Sequence, residues 1–214
     1  MSNLLKRFVT SIPLLLILYA ALINQAVFFI FLITVSFFIL IKFFNLEKKI
    51  FYKNKKAILI FYLISITYFL LFFTQLYFFV IFDIKNKLLF IYLLSICIAT
   101  DLGGYVFGKL FQGKKLTKIS PNKTYSGLIG SYLFSLIVFV IFYIYLNYSY
   151  KFIILTFVIS TISQLGDLFV SLLKRMAKVK DTGKILPGHG GILDRVDGII
   201  FALPIGINLL IFFK

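Results

Sequence analysis

The sequence is poor in the residues that build disulfides, zinc sites and acidic surfaces. It has one cysteine, one histidine and only seven acidic residues among 214 positions. A single thiol builds neither a disulfide framework nor a cysteine-based zinc site. One histidine and one cysteine together also cannot supply the ligand sets that zinc usually takes in proteins. These scarcities exclude disulfide-stabilised and zinc-dependent proteins, and they make each acidic residue informative.

Apolar residues, in contrast, are present in large excess. They make up 61% of the chain, and its mean hydropathy is +1.04. A soluble domain averages about 45–50% apolar residues, and here they also fall in long uninterrupted runs. A helix of about 20 apolar residues crosses the hydrocarbon core of a bilayer. The sequence therefore predicts an all-α fold, a polytopic transmembrane helical bundle.

Seven apolar runs predict about seven membrane spans. The runs lie near 8–23, 26–44, 57–82, 88–108, 127–146, 150–173 and 197–213. The run 57–82 is long enough at 1.5 Å per residue that a split into two short spans, giving eight, stays open. Lys6 and Arg7 precede the first run as in a signal peptide, but further apolar sequence follows it. We therefore expect an uncleaved first span.

The formal net charge of +16 is concentrated in clusters between the apolar runs. Such clusters mark cytoplasmic loops, so we interpret the charge as topology rather than as a nucleic-acid surface. With 57–82 as one tilted span, all four major clusters lie on the cytoplasmic side, including those in the loops 109–126 and 174–196. We expect an integral protein of a bacterial inner (plasma) membrane. We divide it into an N-terminal transmembrane region, 1–87, and a C-terminal transmembrane catalytic region, 88–214.

Five of the seven acidic residues lie in the second half of the chain. They are Asp101, Asp167, Asp181, Asp194 and Asp197. A carboxylate at a membrane boundary is costly to place and usually has a function. Ser171 and Lys174 follow Asp167 at i+4 and i+7, so the three share one helix face. Glu47 and Asp83 are expected in loops without a surrounding motif.

Basic and glycine-rich sequence surrounds these acidic residues. The turn at 187–191 reads PGHGG, and its backbone N–H groups can form an anion-binding nest. Asp194 and Asp197 stand at i and i+3, on one face if the last helix has begun there. Carboxylate oxygens hold hard cations such as Mg²⁺, and basic side chains neutralise phosphate oxygens. The combination indicates phosphoryl or nucleotidyl transfer.

A longer pattern covers the same segment. From residue 171 the chain reads SLLKR, then four residues, then KDTGKILPGHGGILDRVD up to residue 197. This stretch resembles the signature of the phosphatidate cytidylyltransferase family at every fixed position. The segments DLGGYVFGK, at 101–109, and SPNKT, at 120–124, also resemble the family, so the resemblance covers about 101–198.

The resemblance implies an enzyme of phospholipid biosynthesis that joins CTP to phosphatidate, giving CDP-diacylglycerol and pyrophosphate. The implied catalytic residues are Asp167, Lys180, Asp181, Asp194, Arg195 and Asp197. The implied substrate-binding residues are Asp101, Ser120, Lys123, Ser171, Lys174, Arg175, His189, Gly190 and Gly191. The implied ligands of Mg²⁺ are Asp167, Asp194 and Asp197, with a second cation left open. The other expected partners are the lipid bilayer and a second copy in a homodimer, with no nucleic acid.

The implied chemistry assigns two roles more closely. The phosphate of phosphatidate is already negative near pH 7 and needs no general base, so catalysis is mostly charge neutralisation and positioning. We expect Asp167 and Asp194 to hold the catalytic cation together. Metal-bound pyrophosphate is a good leaving group, so we expect His189 to contact phosphate rather than act as the essential acid.

Three positions depart from the family pattern, and alternatives stay open. Tyr125 and Ser126 stand where the family has tryptophan and an acid, and Val170 stands where it has glutamate. The missing acids put in doubt any further cation site built from those positions. A cytidylyltransferase or kinase acting on an ether lipid or a polyprenyl lipid is a close alternative. A transporter with aspartate ion sites would predict an internal repeat, which the sequence does not show. The motif of the CDP-alcohol phosphatidyltransferases is also absent.

Overall fold

The computed structural model describes residues 13, 16–183 and 191–213, and their regular structure is helical. Residues 16–23 are helical. The further elements are α1 (Gln25–Ile50), α2 (Lys55–Phe82), α3 (Ile84–Phe111), α4 (Tyr125–Leu146), α5 (Phe152–Met176), α6 (Leu193–Val196) and α7 (Ile199–Leu209), followed by a 3-10 turn, Leu210–Phe212. Across these described ranges, extended pairing is limited to one isolated antiparallel bridge between Lys115 and Thr124. The predicted all-α fold is confirmed.

Six segments of the described chain are long and apolar enough to cross a membrane. They are α1 to α5 and the segment Leu193–Phe212. Helix α2 runs unbroken from Lys55 to Phe82, so 57–82 is one span and the split that would have given eight does not occur. Of the predicted run 8–23, the structure describes residues 13 and 16–23, and residues 16–23 are helical. Together with that run, the six segments agree with the prediction of about seven spans.

Polar residues with short side chains set where the helices begin. The side chain of Asn24 accepts hydrogen bonds from the N–H of Ala26 and Val27 at the start of α1. Asn54 caps α2 through its side-chain oxygen, and the Thr124 hydroxyl caps α4. Each cap satisfies N–H groups that have no partner within the first turn of a helix. Asn147 ends α4 in the left-handed conformation, at φ 53°, which asparagine tolerates well.

The described chain separates into two compact units. One unit contains residues 1–83 and 173–196, and the other contains 84–172 and 197–214. The predicted catalytic region, 88–214, therefore contributes residues to both units. Its catalytic role stays a prediction.

In the first unit, α1 packs against α2 through aromatic side chains. Phe43 and Phe69 meet edge to face, with ring centroids 5.4 Å apart. Glu47 was expected in a loop, but that expectation is wrong, because α1 continues to Ile50 and carries Glu47 in its last turn. The side chain is buried and accepts a hydrogen bond from the Ser65 hydroxyl of α2. A buried carboxyl group needs such a donor to offset its loss of hydration.

In the second unit, glycines allow α3 and α4 to pack at close range. A Cβ added to Gly103 would lie 2.2 Å from the carbonyl oxygen of Gly130. Small residues at a membrane helix interface let backbones approach in this way. Helix α5 is joined to α3 by hydroxyl groups, with 2.6 Å between Tyr92 and Thr156.

Glycines also bring α7 and the turn before it against α5. A Cβ on Gly166 would lie 3.0 Å from the carbonyl oxygen of Asp197, and one on Gly198 would lie 2.5 Å from the Ser163 hydroxyl. Any larger side chain would separate these backbones. The close packing positions Asp197 beside the middle of α5.

Candidate active site

The site residues of the first unit centre on the carboxylate of Asp194. Lys174, in the last turn of α5, donates to its Oδ1 with 2.9 Å between the atoms. Both side chains are only 11% exposed. A charge pair with so little access to water is screened weakly by salt, and breaking it leaves one charge uncompensated. Lys174 and Asp194 therefore hold each other in fixed positions.

The second oxygen of the same carboxylate collects donors from two separate stretches of chain. Asp194 Oδ2 accepts from the backbone N–H of Thr182, from the Thr182 hydroxyl and from the backbone N–H of Gly191, each at 3.0 Å. Thr182 and Gly191 flank residues 183–190, the glycine-rich part of the signature. Asp194 thus joins both ends of that segment.

Gly191 is required where the two ends meet. A Cβ at this position would lie 2.2 Å from the hydroxyl oxygen of Thr182 and 2.9 Å from Asp194 Oδ2. Any other residue would push Thr182 away from the carboxylate. The sequence suggested an anion-binding role for Gly191, and the structure gives it a packing reason as well.

A tight turn leads from α5 towards Thr182. Lys178 adopts the left-handed conformation at φ 55°, and the N–H of Val179 donates to the carbonyl of Lys174 at 2.9 Å. This is the way many helices end. The turn reverses the chain, so that Thr182 comes back to the level of the Lys174 side chain. Both residues contact Asp194.

The site residues of the second unit centre on Asp167 of α5. Lys123 forms an ion pair with its Oδ2 at 2.5 Å and donates to the backbone carbonyl of Gln164 at 3.4 Å. Ser171 donates to the other oxygen at 3.3 Å, as the predicted i+4 spacing on one helix face requires. Both charged side chains are about one-quarter exposed, so the carboxylate remains open to solvent.

The basic loop between α3 and α4 folds back on itself and so presents Lys123. The N–H of Leu116 donates to the carbonyl of Lys123 at 2.7 Å, and the N–H of Lys123 donates to the carbonyl of Ser120 at 3.0 Å. Ser126 closes the loop by donating to the carbonyl of Gln112. At this departure from the family pattern, a hydroxyl therefore fixes the loop in place of an acid.

The other departures have simple structural counterparts. Val170 is fully buried, so the position of the family glutamate is filled here by an apolar packing residue. Tyr125 is 55% exposed at the start of α4. Neither position adds a carboxylate to the site.

Asp197 directly follows the short helix that carries Asp194. Because α6 ends at Val196, the condition for a shared helix face, one helix that includes both residues, is not met. Asp197 is buried in the turn before α7, where its Oδ1 accepts from the N–H of Gly198 at 3.0 Å. That bond helps to shape the turn against α5.

The three candidate metal ligands differ in how much of each carboxylate is already used. The described residues contain no group of three or more histidine, cysteine and acidic side chains arranged to hold a metal. Mg²⁺, however, commonly takes one or two carboxylates and completes its shell with water and substrate phosphate. An ionised carboxylate offers about four lone-pair positions. Lys123 and Ser171 each occupy one position on a different oxygen of Asp167, whereas Asp194 Oδ2 alone accepts three hydrogen bonds. Asp167 therefore fits a cation more readily than Asp194.

The remaining predicted site residues are exposed or lie outside the described ranges. The exposed ones are Asp101, Arg175, Lys180, Asp181 and Arg195. His189 and Gly190 lie outside the described residues. Sequence reasoning missed Thr182 and Gln164, because the first occupies a variable position of the signature and the second acts through its backbone carbonyl. The catalytic and binding roles of all these residues stay predictions.

A match to a known protein family extends over nearly the whole chain, and a match to individual relatives covers about half of it. A family model described as the cytidylyltransferase family matches residues 3–213. The phosphatidate cytidylyltransferase of Staphylococcus saprophyticus is 47% identical over 116 residues, which are 52% of this chain and 44% of that protein. Enzymes of the same name from Staphylococcus haemolyticus and Staphylococcus aureus strain COL are 46% and 47% identical over segments of equal length. The aligned segment thus spans less than half the length of these relatives.

Proposed function

Because the chain belongs to the cytidylyltransferase family, we propose that it is a phosphatidate cytidylyltransferase that makes CDP-diacylglycerol and pyrophosphate from CTP and phosphatidate. The observation that carries the proposal is the 47% identity, over 116 residues, to relatives named for that activity. The chain is an integral membrane protein with bacterial relatives, which suits an enzyme whose lipid substrate resides in the bilayer.

The reaction requires little covalent chemistry from the protein. A phosphate oxygen of phosphatidate attacks the α-phosphorus of CTP, the bond from that phosphorus to the bridging oxygen breaks, and pyrophosphate leaves. The attacking oxygen is already ionised near pH 7, so no general base is needed. The difficulty is the repulsion between two polyanions, which positioned positive charge reduces.

The basic residues of the site supply that positive charge. Lys174 is held in position by Asp194, so the protein itself orients its ammonium group. Arg175, Lys180 and Arg195 are close to Lys174 and Asp194 in the sequence, and their side chains are exposed. They would neutralise further phosphate oxygens. Asp194 also joins the ends of the segment 183–190, whose glycines would bring backbone N–H groups to the nucleotide phosphates.

A divalent cation, Mg²⁺ by its preference for oxygen ligands, completes the proposal. Asp167 would hold it, with Asp194 and Asp197 as the further ligands that the signature implies. When bound, it supplies positive charge to the phosphate oxygens. The ion pair with Lys123 orients the Asp167 carboxylate for this role. The joint use of one cation by Asp167 and Asp194 stays a sequence-based prediction, because the two residues belong to different units.

Orientation and assembly are also proposals. CTP is a cytoplasmic metabolite, and the basic loops 109–126 and 174–196 carry the charge that marks the cytoplasmic side. We therefore infer that the active site faces the cytoplasm. We also propose a homodimer, as the family resemblance implies.

The identity of the lipid substrate is tested by competition among acceptors. Purified protein in nanodiscs would receive radiolabelled CTP with equal amounts of diacyl phosphatidate, ether-linked phosphatidate and a polyprenyl phosphate. The proposal expects label in CDP-diacylglycerol. The amount of label in the ether-linked product would measure the selectivity of the enzyme for acyl over ether linkages. Labelling of the polyprenyl product alone would assign the chain to the alternative lipid class.

A further inference from the structure

A cleft in the first unit lies between the end of α1 and residues 179–182, which follow α5. It is lined by Lys42, Asn45 and Lys49 of α1, and by Asp181 and Thr182 from the segment after α5. Lys42 and Lys49 are seven residues apart and so lie on one face of the helix. The sequence pattern around these α1 residues indicates no role beyond membrane topology.

The charges of the cleft favour an anion. Two lysines face a single acidic lining residue, Asp181, so the lining carries a formal charge of +1. Neither Lys42 nor Lys49 belongs to the ion pair of Lys123 with Asp167 or to that of Lys174 with Asp194. Asn45 adds an amide that can donate without carrying charge. The cleft therefore holds two ammonium groups whose hydrogen-bonding capacity a phosphate could use.

Lys42 reaches the backbone of the signature segment itself. A Cβ added to Gly183 would lie 3.0 Å from Lys42 Nζ and 3.4 Å from its Cε. Gly183 is the fixed glycine that follows Lys180 and Asp181 in the signature, so the absence of a side chain there leaves room for the lysine. Lysines at the end of a span are common for topological reasons alone, but topology does not require this contact.

We propose that the cleft binds a phosphate group, with Lys42 and Lys49 as its cationic ligands and Asn45 as a neutral donor. The phosphate belongs either to the nucleotide or pyrophosphate, or to the headgroup of an anionic lipid. The inference rests on the proposed function for its physiological ligand, whereas binding itself requires no turnover. Helix α1 thereby contributes substrate-binding residues that the C-terminal signature does not include.

The test measures binding without catalysis. Detergent-purified protein would be titrated with inorganic pyrophosphate and, separately, with dioctanoyl phosphatidate, and the apparent Kd would be taken from the rise in Tm with ligand concentration. The variants are Lys42→Gln, Lys49→Gln and the charge-retaining Lys42→Arg. Lys56→Gln removes an exposed lysine of α2 outside the cleft and serves as the matched control.

We expect Lys42→Gln to weaken the binding of one of the two ligands about tenfold, which corresponds to the loss of one charge-assisted hydrogen bond. Lys42→Arg should retain most of the binding, and Lys56→Gln should match the wild type. Weakened pyrophosphate binding would identify a nucleotide phosphate as the ligand, and weakened phosphatidate binding would identify a lipid headgroup. Gly183→Ala should weaken the same ligand, and its effect should not add to that of Lys42→Gln, because both act on one ammonium position.

Wild-type affinity of Lys42→Gln and Lys49→Gln for both ligands would overturn the inference. The inference would also be overturned if the wild-type protein bound neither pyrophosphate nor phosphatidate. If the lysine variants lose binding while the wild type forms no CDP-diacylglycerol, the cleft stands and the proposed function fails.

Discussion

Lys174 Nζ lies 2.9 Å from one carboxylate oxygen of Asp194, and the other oxygen of that carboxylate accepts three hydrogen bonds from Thr182 and Gly191. One acidic side chain therefore fixes a lysine in the last turn of α5 and also holds Thr182 close to Gly191. A substitution at Asp194 should disturb both the position of the lysine charge and the contact between Thr182 and Gly191.

The first prediction concerns the coupling of Lys174 and Asp194. Lys174→Gln and Asp194→Asn should each lower kcat/KM by at least about 100-fold, because each removes an oriented charge from the site. In a double-mutant cycle, the coupling free energy should be about 1–3 kcal/mol, as for other residues in direct contact. Asp83→Asn, an acidic residue outside the motifs, is the control and should leave activity unchanged. Strictly additive losses would contradict a shared role.

The second prediction separates Asp167 from its partner Lys123. Asp167→Asn should abolish product formation at ordinary Mg²⁺ concentrations, because it removes the carboxylate with the most open lone pairs. Lys123→Gln should lower kcat about 10- to 100-fold, because Lys123 orients the carboxylate that would hold the cation. Lys123→Arg, which keeps the charge, should restore part of the activity. Lys118→Gln on the same loop is the matched control. Turnover across a Mg²⁺ titration gives the comparison, and near-wild-type activity of Asp167→Asn would remove it from the site.

The third prediction tests the close packing of α3 and α4. Gly103→Ala places a Cβ 2.2 Å from the Gly130 carbonyl oxygen, so the helices must move apart. We expect a loss of about 1–3 kcal/mol in stability, the usual range for overpacking. Gly108→Ala, whose nearest contact would be 3.2 Å, is a milder control. Thermal unfolding in detergent gives the Tm of both variants. Equal Tm values would contradict the prediction, because they would show that the helices move apart at little cost in stability.

The fourth prediction addresses orientation in the membrane. Cys97 is fully buried, so single cysteines can be added with little background labelling. A membrane-impermeant maleimide applied from outside should label Lys85→Cys in the first turn of α3 and miss Lys115→Cys in the basic loop. Labelling of Lys115→Cys from outside would reverse the assigned orientation.

The sequence predicted the helical spans well because length and hydropathy control them. The contact of the Ser171 hydroxyl with Asp167, one turn away, follows from helical spacing. The length of the run 57–82 left one or two spans open, and the unbroken α2 decides for one. Glu47 was misassigned to a loop because its partner, Ser65, lies 18 residues away on the next helix. For the same reason no local pattern could indicate that Thr182 binds Asp194, since tertiary packing brings them together. Lys42 beside Gly183 is likewise a contact that only the fold creates.

The most direct measurement is product formation by the purified chain. Protein in nanodiscs would be incubated with phosphatidate, α-³²P-labelled CTP and Mg²⁺, and both CDP-diacylglycerol and pyrophosphate would be quantified over time. The account predicts the two products in equal amounts, with Asp194→Asn folded but at least about 100-fold slower, the loss expected when an oriented electrostatic group is removed. Release of pyrophosphate without labelled lipid, or no CTP turnover by folded wild-type protein, would contradict it.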